Sequence, residues 1–162
     1  MPYRPPSQPP RTVATRKRST ELTRNLGFLL ARASQRWNEV LAGAFAAAGH
    51  AEVRPSYGAI LIPLFLEDGL QMTELGRRAR LTKQTMTTMV RAMEAAGLVK
   101  RRPDPSDARA TRIFLTDRSR RFERDLARVL HSMDLAARRR LGATGLDRVI
   151  DALVALQDLD KP

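Results

Sequence analysis

The sequence predicts a mainly α-helical fold with one small β-wing, an α+β architecture, and three observations carry that prediction. Apolar residues recur at helical spacing over most of the 162-residue chain. Two short strand-like runs, Leu98 to Arg102 and Ala110 to Leu115, flank a segment whose prolines, Pro103 and Pro105, forbid helix. Immediately before them, Thr82 to Ala96 reads as a capped helix with one apolar and one polar face.

Residues 1 to 19 hold five prolines and five basic residues, Arg4, Arg11, Arg16, Lys17 and Arg18, without an acid. So little apolar surface cannot offset the entropy of ordering the chain, which predicts a disordered basic tail; an arm that touches phosphates or a minor groove is the alternative. From Thr20 to about Ala48, Leu22, Leu26, Leu29, Ala33, Trp37, Val40, Leu41 and Ala44 form the stripe of a long amphipathic helix. Pro55 opens a second helix to about Leu66, where Pro63 cannot donate to Ala59 and predicts a kink or a shortening. Thr73 is read as the cap of a short helix to Ala79, with Glu74 against the positive end of its dipole. Arg80 and Leu81 form the turn, Thr82 caps the next helix, and Gly97 ends it where a left-handed residue is needed. A turn-rich loop from Pro103 to Arg109 joins the two strands. Thr116 caps a long basic helix with Phe122, Leu126, Val129, Leu130, Met133 and Ala137 on one side. Gly142 and Gly145 are expected to interrupt it before a last helix bearing Leu146, Val149, Ile150, Leu153, Leu156 and Leu159.

Two helices across a short turn, followed by a β-hairpin, make a winged helix-turn-helix. In the second helix Met86, Met89, Val90 and Met93 bury one face, while at about 100° per residue the opposite face presents Gln84, Thr87, Thr88 and Arg91. Those side chains are all able to hydrogen-bond to base edges or phosphates in a major groove. A solvated helix face is the bland alternative, but threonines are poor helix formers and Lys83 near the positive dipole end costs up to ~1 kcal/mol. A DNA phosphate beside Thr82 and Lys83 reverses the sign of that term.

At these residues the chain resembles the MarR family of winged helix-turn-helix regulators. The matching pieces are Gly97-Leu98-Val99, the basic strand Lys100-Arg101-Arg102, Asp107-Ala108-Arg109 in the wing, and Leu115-Thr116. The spacing of the set is more specific than any one piece, and the resemblance covers about residues 20 to 158. It implies a MarR-like domain over 20–162, with the DNA-binding lobe at 55–116 and dimerisation helices at 20–50 and 117–162. It also implies a cytoplasmic homodimer, most often a repressor, that binds a pseudo-palindromic double-stranded operator and responds to a small aromatic or anionic effector. Arg109 is assigned by resemblance to the wing tip and the minor groove. Two residues away, Asp107 is expected to orient its guanidinium, with Arg101 in the same basic ridge.

Composition sets the outer limits. A formal charge of +12 attracts a polyanion, although a basic surface produced by compositional bias explains the charge equally well until the helix and wing are considered. The chain has no cysteine, which excludes disulfides, thiolate metal sites and cysteine-based sensing within it. No run approaches the ~18 to 20 apolar residues of a membrane span, and no secretion signal is expected. His50 and His131 are far apart and lack partners at metal-ligand spacing, so they are expected to be structural or exposed, with no metal and no cofactor. Trp37 is most simply a core or interface aromatic; with Arg36 and Tyr57 it is also the candidate wall of an effector pocket. An enzyme would need a catalytic constellation or phosphate loop that the sequence does not contain, and the competing class is a nonspecific architectural nucleic-acid-binding protein.

Overall fold

A computed structural model describes residues 21–159, so the expected basic tail at 1–19 lies outside the described residues. The described residues fall into two compact units, divided between Glu39 and Val40. The elements in order are α1 (Leu26–Ala47), a 3-10 turn (Pro55–Tyr57), α2 (Gly58–Leu66), β1 (Leu70–Gln71), α3 (Met72–Arg78), α4 (Lys83–Ala95), β2 (Val99–Asp104), β3 (Asp107–Leu115), α5 (Asp117–Leu141), α6 (Ala143–Ala155) and a closing 3-10 turn (Leu156–Asp158). The fold is mainly helical with a small antiparallel sheet, as the sequence predicts. Among the described residues, no helix is long and apolar enough to cross a membrane.

In the first unit the expected helix from Thr20 is interrupted by a bend at Arg24 and Asn25. Asn25 causes a fresh start: its Oδ1 accepts the backbone N–H of Phe28 at 2.9 Å, satisfying an orphan donor of the first turn of α1. Leu26, Phe28, Leu29 and Trp37 are exposed along this stretch.

In the second unit, Ile60, Leu61 and Leu64 of α2, Leu75 of α3, Met86, Val90 and Met93 of α4, Leu98 and Ile113 are all 2% exposed or less and form one core. Phe45 and Phe122 meet edge to face beside it, with ring centroids 4.9 Å apart. Pro55 opens a 3-10 turn and not the α-helix itself, and α2 runs three residues past Pro63, so the proline does not end the helix. Its lost N–H is the one that would have reached Ala59. Gly145 does not interrupt the C-terminal helices; the break falls at Gly142, whose φ of 75° closes α5, and Gly145 sits inside α6.

Capping decides several boundaries. Thr82 caps α4, its side chain accepting from the Thr85 backbone N–H at 3.2 Å. Gly97 ends that helix at φ 70°, as the sequence predicts. Thr116 and Ser119 exchange backbone and side-chain hydrogen bonds in a capping box that starts α5, and Thr116 Oγ1 also donates to Gly97 O at 2.7 Å. Thr73, by contrast, is not a cap: α3 begins at Met72 after Gln71, and Thr73 lies within the first turn. The reason is β1, which pairs Leu70 with Ile113 and Gln71 with Arg112 and so fixes the extended residue before the helix two positions earlier.

The wing is longer and tighter than the predicted strands and loop. The sheet order is β1-β3-β2, and β2 pairs with β3 from Val99↔Leu115 to Pro103↔Thr111. Pro103 is tolerated because β2 is an edge strand. Only Pro105 and Ser106 remain between the strands, and Asp104 explains why. Its side chain is fully buried; Oδ1 accepts from the Ser106 backbone N–H at 2.8 Å, and Oδ2 accepts from Gln71 Nε2 at 2.7 Å and Arg112 Nε at 2.6 Å. Hydrogen bonds from Ser106, Gln71 and Arg112 hold its carboxyl far below the usual carboxylate range.

A depressed folded-state pKa means that this stabilisation is complete above the unfolded value of ~3.9 and declines as pH falls below it. Asp104→Asn is therefore expected to lower the thermal midpoint by several degrees at pH 7, with the gap to the parent chain narrowing between pH 4 and pH 2. A gap that stays constant over that interval, measured by thermal unfolding at each pH, contradicts the assignment.

Candidate nucleic-acid interface

The helix-turn-helix consists of α3 and α4 joined by the four residues Ala79 to Thr82. Arg80 adopts φ 51° in this turn, the only non-glycine residue with positive φ among the described residues, and the Leu81 N–H returns to Gly76 O at 3.0 Å. The turn thereby sets α4 across α3, where Met86, Val90 and Met93 anchor it in the core.

Burying that face leaves the opposite face outward. Lys83, Gln84, Thr87, Thr88 and Arg91 line one open concavity, so the stripe expected from the sequence exists as a contiguous surface. Gln84, Thr88 and Arg91 are exposed. Thr87 is half-buried, and its hydroxyl donates to Lys83 O at 2.9 Å, which leaves its lone pairs and methyl group as the outward features. Thr82 is committed to its cap, and its Oγ1 lies 2.8 Å from Thr85 Oγ1. Lys83 stands at the first helical position with no acid in that turn, so the dipole end and the ammonium together make a local positive field.

A second cleft of about 380 Å³ lies between α3, the start of α4 and the wing, with Met72, Gly76, Leu81 and Met86 inside and Arg77, Lys83 and Arg109 contributing charge. Arg77 is partly neutralised: Glu74 accepts from Arg77 and Arg78, and those hydrogen bonds hold its carboxyl down to about 2. Arg109 makes no ion pair among the described residues. The expectation that Asp107 orients its guanidinium is corrected here, because Asp107 Oδ1 accepts the Arg109 backbone N–H at 2.9 Å. With two residues between the strands, the carboxylate meets the nearer backbone donor and closes a local turn. Arg109 is placed through its main chain, with the guanidinium left outward.

Arg101 is not free. Its Nε and Nη2 lie 2.9 Å and 2.6 Å from Glu94 Oε2, on the last turn of α4. The pair lines an open concavity between α4 and the wing together with Arg102, Pro103, Ala108, Ala110 and Thr111. Arg102 stacks 5.5 Å from the centroid of Phe114, and Arg112, opposite it in register, turns inward to Asp104.

Sequence reasoning missed Glu94, Asp104 and Gln71. A buried aspartate before Pro105 had one available signal, the Asp-Pro-Ser turn composition; the other two act only through partners brought in by folding. His50 is buried, and its Nε2 lies 2.9 Å from Asp125 Oδ2, while His131 is exposed. Arg36 is ion-paired with Glu39 at 3.2 Å and Trp37 is 39% exposed in the first unit; Tyr57 is buried in the second.

Comparisons with known proteins agree with this geometry. The MarR family model matches residues 57–111, the span from α2 into the wing. The HTH-type transcriptional repressor Rv2887 of Mycobacterium tuberculosis is 33% identical over 106 residues, covering 57% of this chain and 76% of that protein. The HTH-type transcriptional regulator TtmR of Methylorubrum extorquens is 31% identical over 116 residues, which is 68% of this chain but 55% of TtmR, so the match spans about half of that relative. The transcriptional repressor CouR, solved bound to a 23-mer DNA duplex, superposes with a TM-score of 0.74 at 25% identity, over 85% of this chain and 95% of CouR. A helix-turn-helix with a two-residue wing turn, these relatives and the family match lead to one conclusion: the chain belongs to the MarR family of transcriptional regulators.

Proposed function

We propose that the chain is a sequence-specific DNA-binding repressor that acts as a homodimer on a pseudo-palindromic operator and responds to a small ligand. The observation that carries this reading is the outward stripe of α4, with Lys83, Gln84, Thr87, Thr88 and Arg91 on one open surface, beside a cleft to which the wing residue Arg109 contributes. CouR, a protein of the same fold, binds a DNA duplex, and Rv2887 is a repressor by name.

In this reading Gln84 reads adenine through its amide, Arg91 reads guanine or a phosphate, and Thr87 and Thr88 contact base edges or backbone. Thr82 and Lys83 sit against a phosphate at the helix start. Arg109 enters the minor groove, Asp107 holds the turn that presents it, and Arg101 borders the same path. The homodimer is supported by apolar surface that a single chain leaves uncovered: Phe28, Leu29 and Trp37 on α1, and separately Val149, Ile150 and Leu153 on α6, are all between 39% and 47% exposed. Two copies place their recognition helices in successive major grooves ~34 Å apart. The effector is a small aromatic or anionic molecule; its candidate contacts are Arg36 and Trp37 in the first unit and, separately, Tyr57 in the second.

Selection from a random duplex library tests the central reading. The chain is expected to enrich a two-fold sequence that it prefers over random duplex by ~10³ or more at fixed salt. Gln84→Ala or Arg91→Ala should then cost ~1 to 3 kcal/mol on the selected duplex and less on random DNA. A preference near unity makes the protein a nonspecific architectural binder. For the dimer, sedimentation equilibrium of a chain lacking Gly145 to Pro162 should find monomer or aggregate with no operator binding; a soluble truncated monomer that binds as tightly rules the dimer out. For the effector, Trp37 is the sole tryptophan, so its emission is the readout. A panel of arene carboxylates should contain one that changes this emission in step with release of the duplex, and a panel in which none does both removes the effector from the account.

A further inference from the structure

We infer that Glu94 is a specificity-determining residue: an internal anion that occupies Arg101 and thereby lowers affinity for DNA of the wrong sequence. The inference rests on the DNA-binding reading above. Glu94 is the only acid in α4, whose other charged residues are Lys83 and Arg91. It therefore breaks the positive face of the element that enters the groove. Its carboxylate oxygen Oε2 takes both Nε and Nη2 of Arg101, while Glu94 and Arg101 keep 35% and 41% of their side-chain surface open to solvent. The pair lines the open concavity between α4 and the wing, beside Arg102.

Two consequences follow from electrostatics alone. A carboxylate in a DNA-facing cleft repels phosphate, and a guanidinium already neutralised releases no counterion when DNA arrives. Random duplex therefore binds without Arg101. A matched sequence, seated closely enough by Gln84 and Arg91, brings a phosphate near enough to compete with Glu94 for the guanidinium, and the exchange swaps one charge-assisted hydrogen bond for another. Arg101 contributes in the matched complex and is withheld elsewhere, which widens the ratio between the two affinities.

A purely structural strut between β2 and α4 uses the same atoms and makes opposite predictions. Glu94→Gln keeps a hydrogen-bond acceptor for Arg101 but removes the charge. If Glu94 withholds Arg101, the variant should bind a random-sequence duplex about eightfold more tightly at 0.1 M salt and steepen the slope of log K against log salt by ~0.9, the value of one added phosphate contact. Its gain on the duplex selected by the parent chain should be smaller. Arg101→Gln in the Glu94→Gln background should return the slope on random duplex to the parent value. A Glu94→Gln chain with an unchanged melting temperature and an unchanged or weaker affinity for random duplex overturns the inference, as does an equal gain on both duplexes. The parent chain titrated in parallel separates this failure from failure of the underlying reading, since a parent that binds neither duplex removes both.

Discussion

The carboxylate of Asp104 is the constraint on which the geometry of the wing depends. It stands at the end of β2, yet its partners are Gln71 of β1, the residue before α3, Ser106 in the wing turn and Arg112 on the central strand. One buried anion thus ties β1, which leads directly into α3, to both strands and the turn of the wing. Arg112 extends the tie by donating to Gly69 O at 2.9 Å. Asp68 makes a parallel connection one residue earlier, accepting the Leu115 N–H at 2.8 Å and the Arg120 guanidinium at 3.0 Å. A buried carboxylate without these donors would be strongly destabilising; with them it is rigid, and rigidity is what a surface that must match a groove requires.

Backbone conformation supports the same arrangement. Gly69 has φ 75° and a Cβ there would lie 2.6 Å from Cε1 of Phe114, so the turn into β1 needs a residue without a side chain on both counts. Phe114 in turn carries the Arg102 guanidinium over its ring. At the next turn Arg80 adopts the left-handed conformation with a full side chain, and its Nη1 reaches Gln157 O at 3.3 Å near the C-terminus. The uncommon conformation of Arg80 is held by the hydrogen bond from Leu81 to Gly76 that closes the turn.

Much of this fold could be read from the sequence because it is local. The 3.6-residue period gave α4 its buried methionines and its outward stripe, Thr82 and Thr116 announced the helix starts, and Gly97 announced a helix end. What could not be read depends on partners far apart in the chain. Strand β1 has two residues, too few for any periodicity, and exists because β3 offers it an edge; that pairing moved the start of α3 from Thr73 to Met72. Asp104 meets Gln71 across 33 positions, and His50 meets Asp125 across 75. At the candidate interface the stripe residues were identifiable individually, but the states of three were not. Thr87 turns its hydroxyl back to the helix, Asp107 takes a backbone N–H in preference to a guanidinium, and Arg101 is held by Glu94. Each outcome is a competition between nearby hydrogen-bond partners, which spacing alone does not decide.

The central claim is that α4 and the wing together form the surface that meets DNA. Backbone amide chemical shifts of the full chain, followed by NMR as a short duplex is added, test it most directly. The account predicts that the largest changes fall on Lys83 to Arg91 and on Asp107 to Thr111, with the core strand pair Val99 and Leu115 little affected. Changes confined to α1 or α6, with α4 and the wing silent, would contradict it.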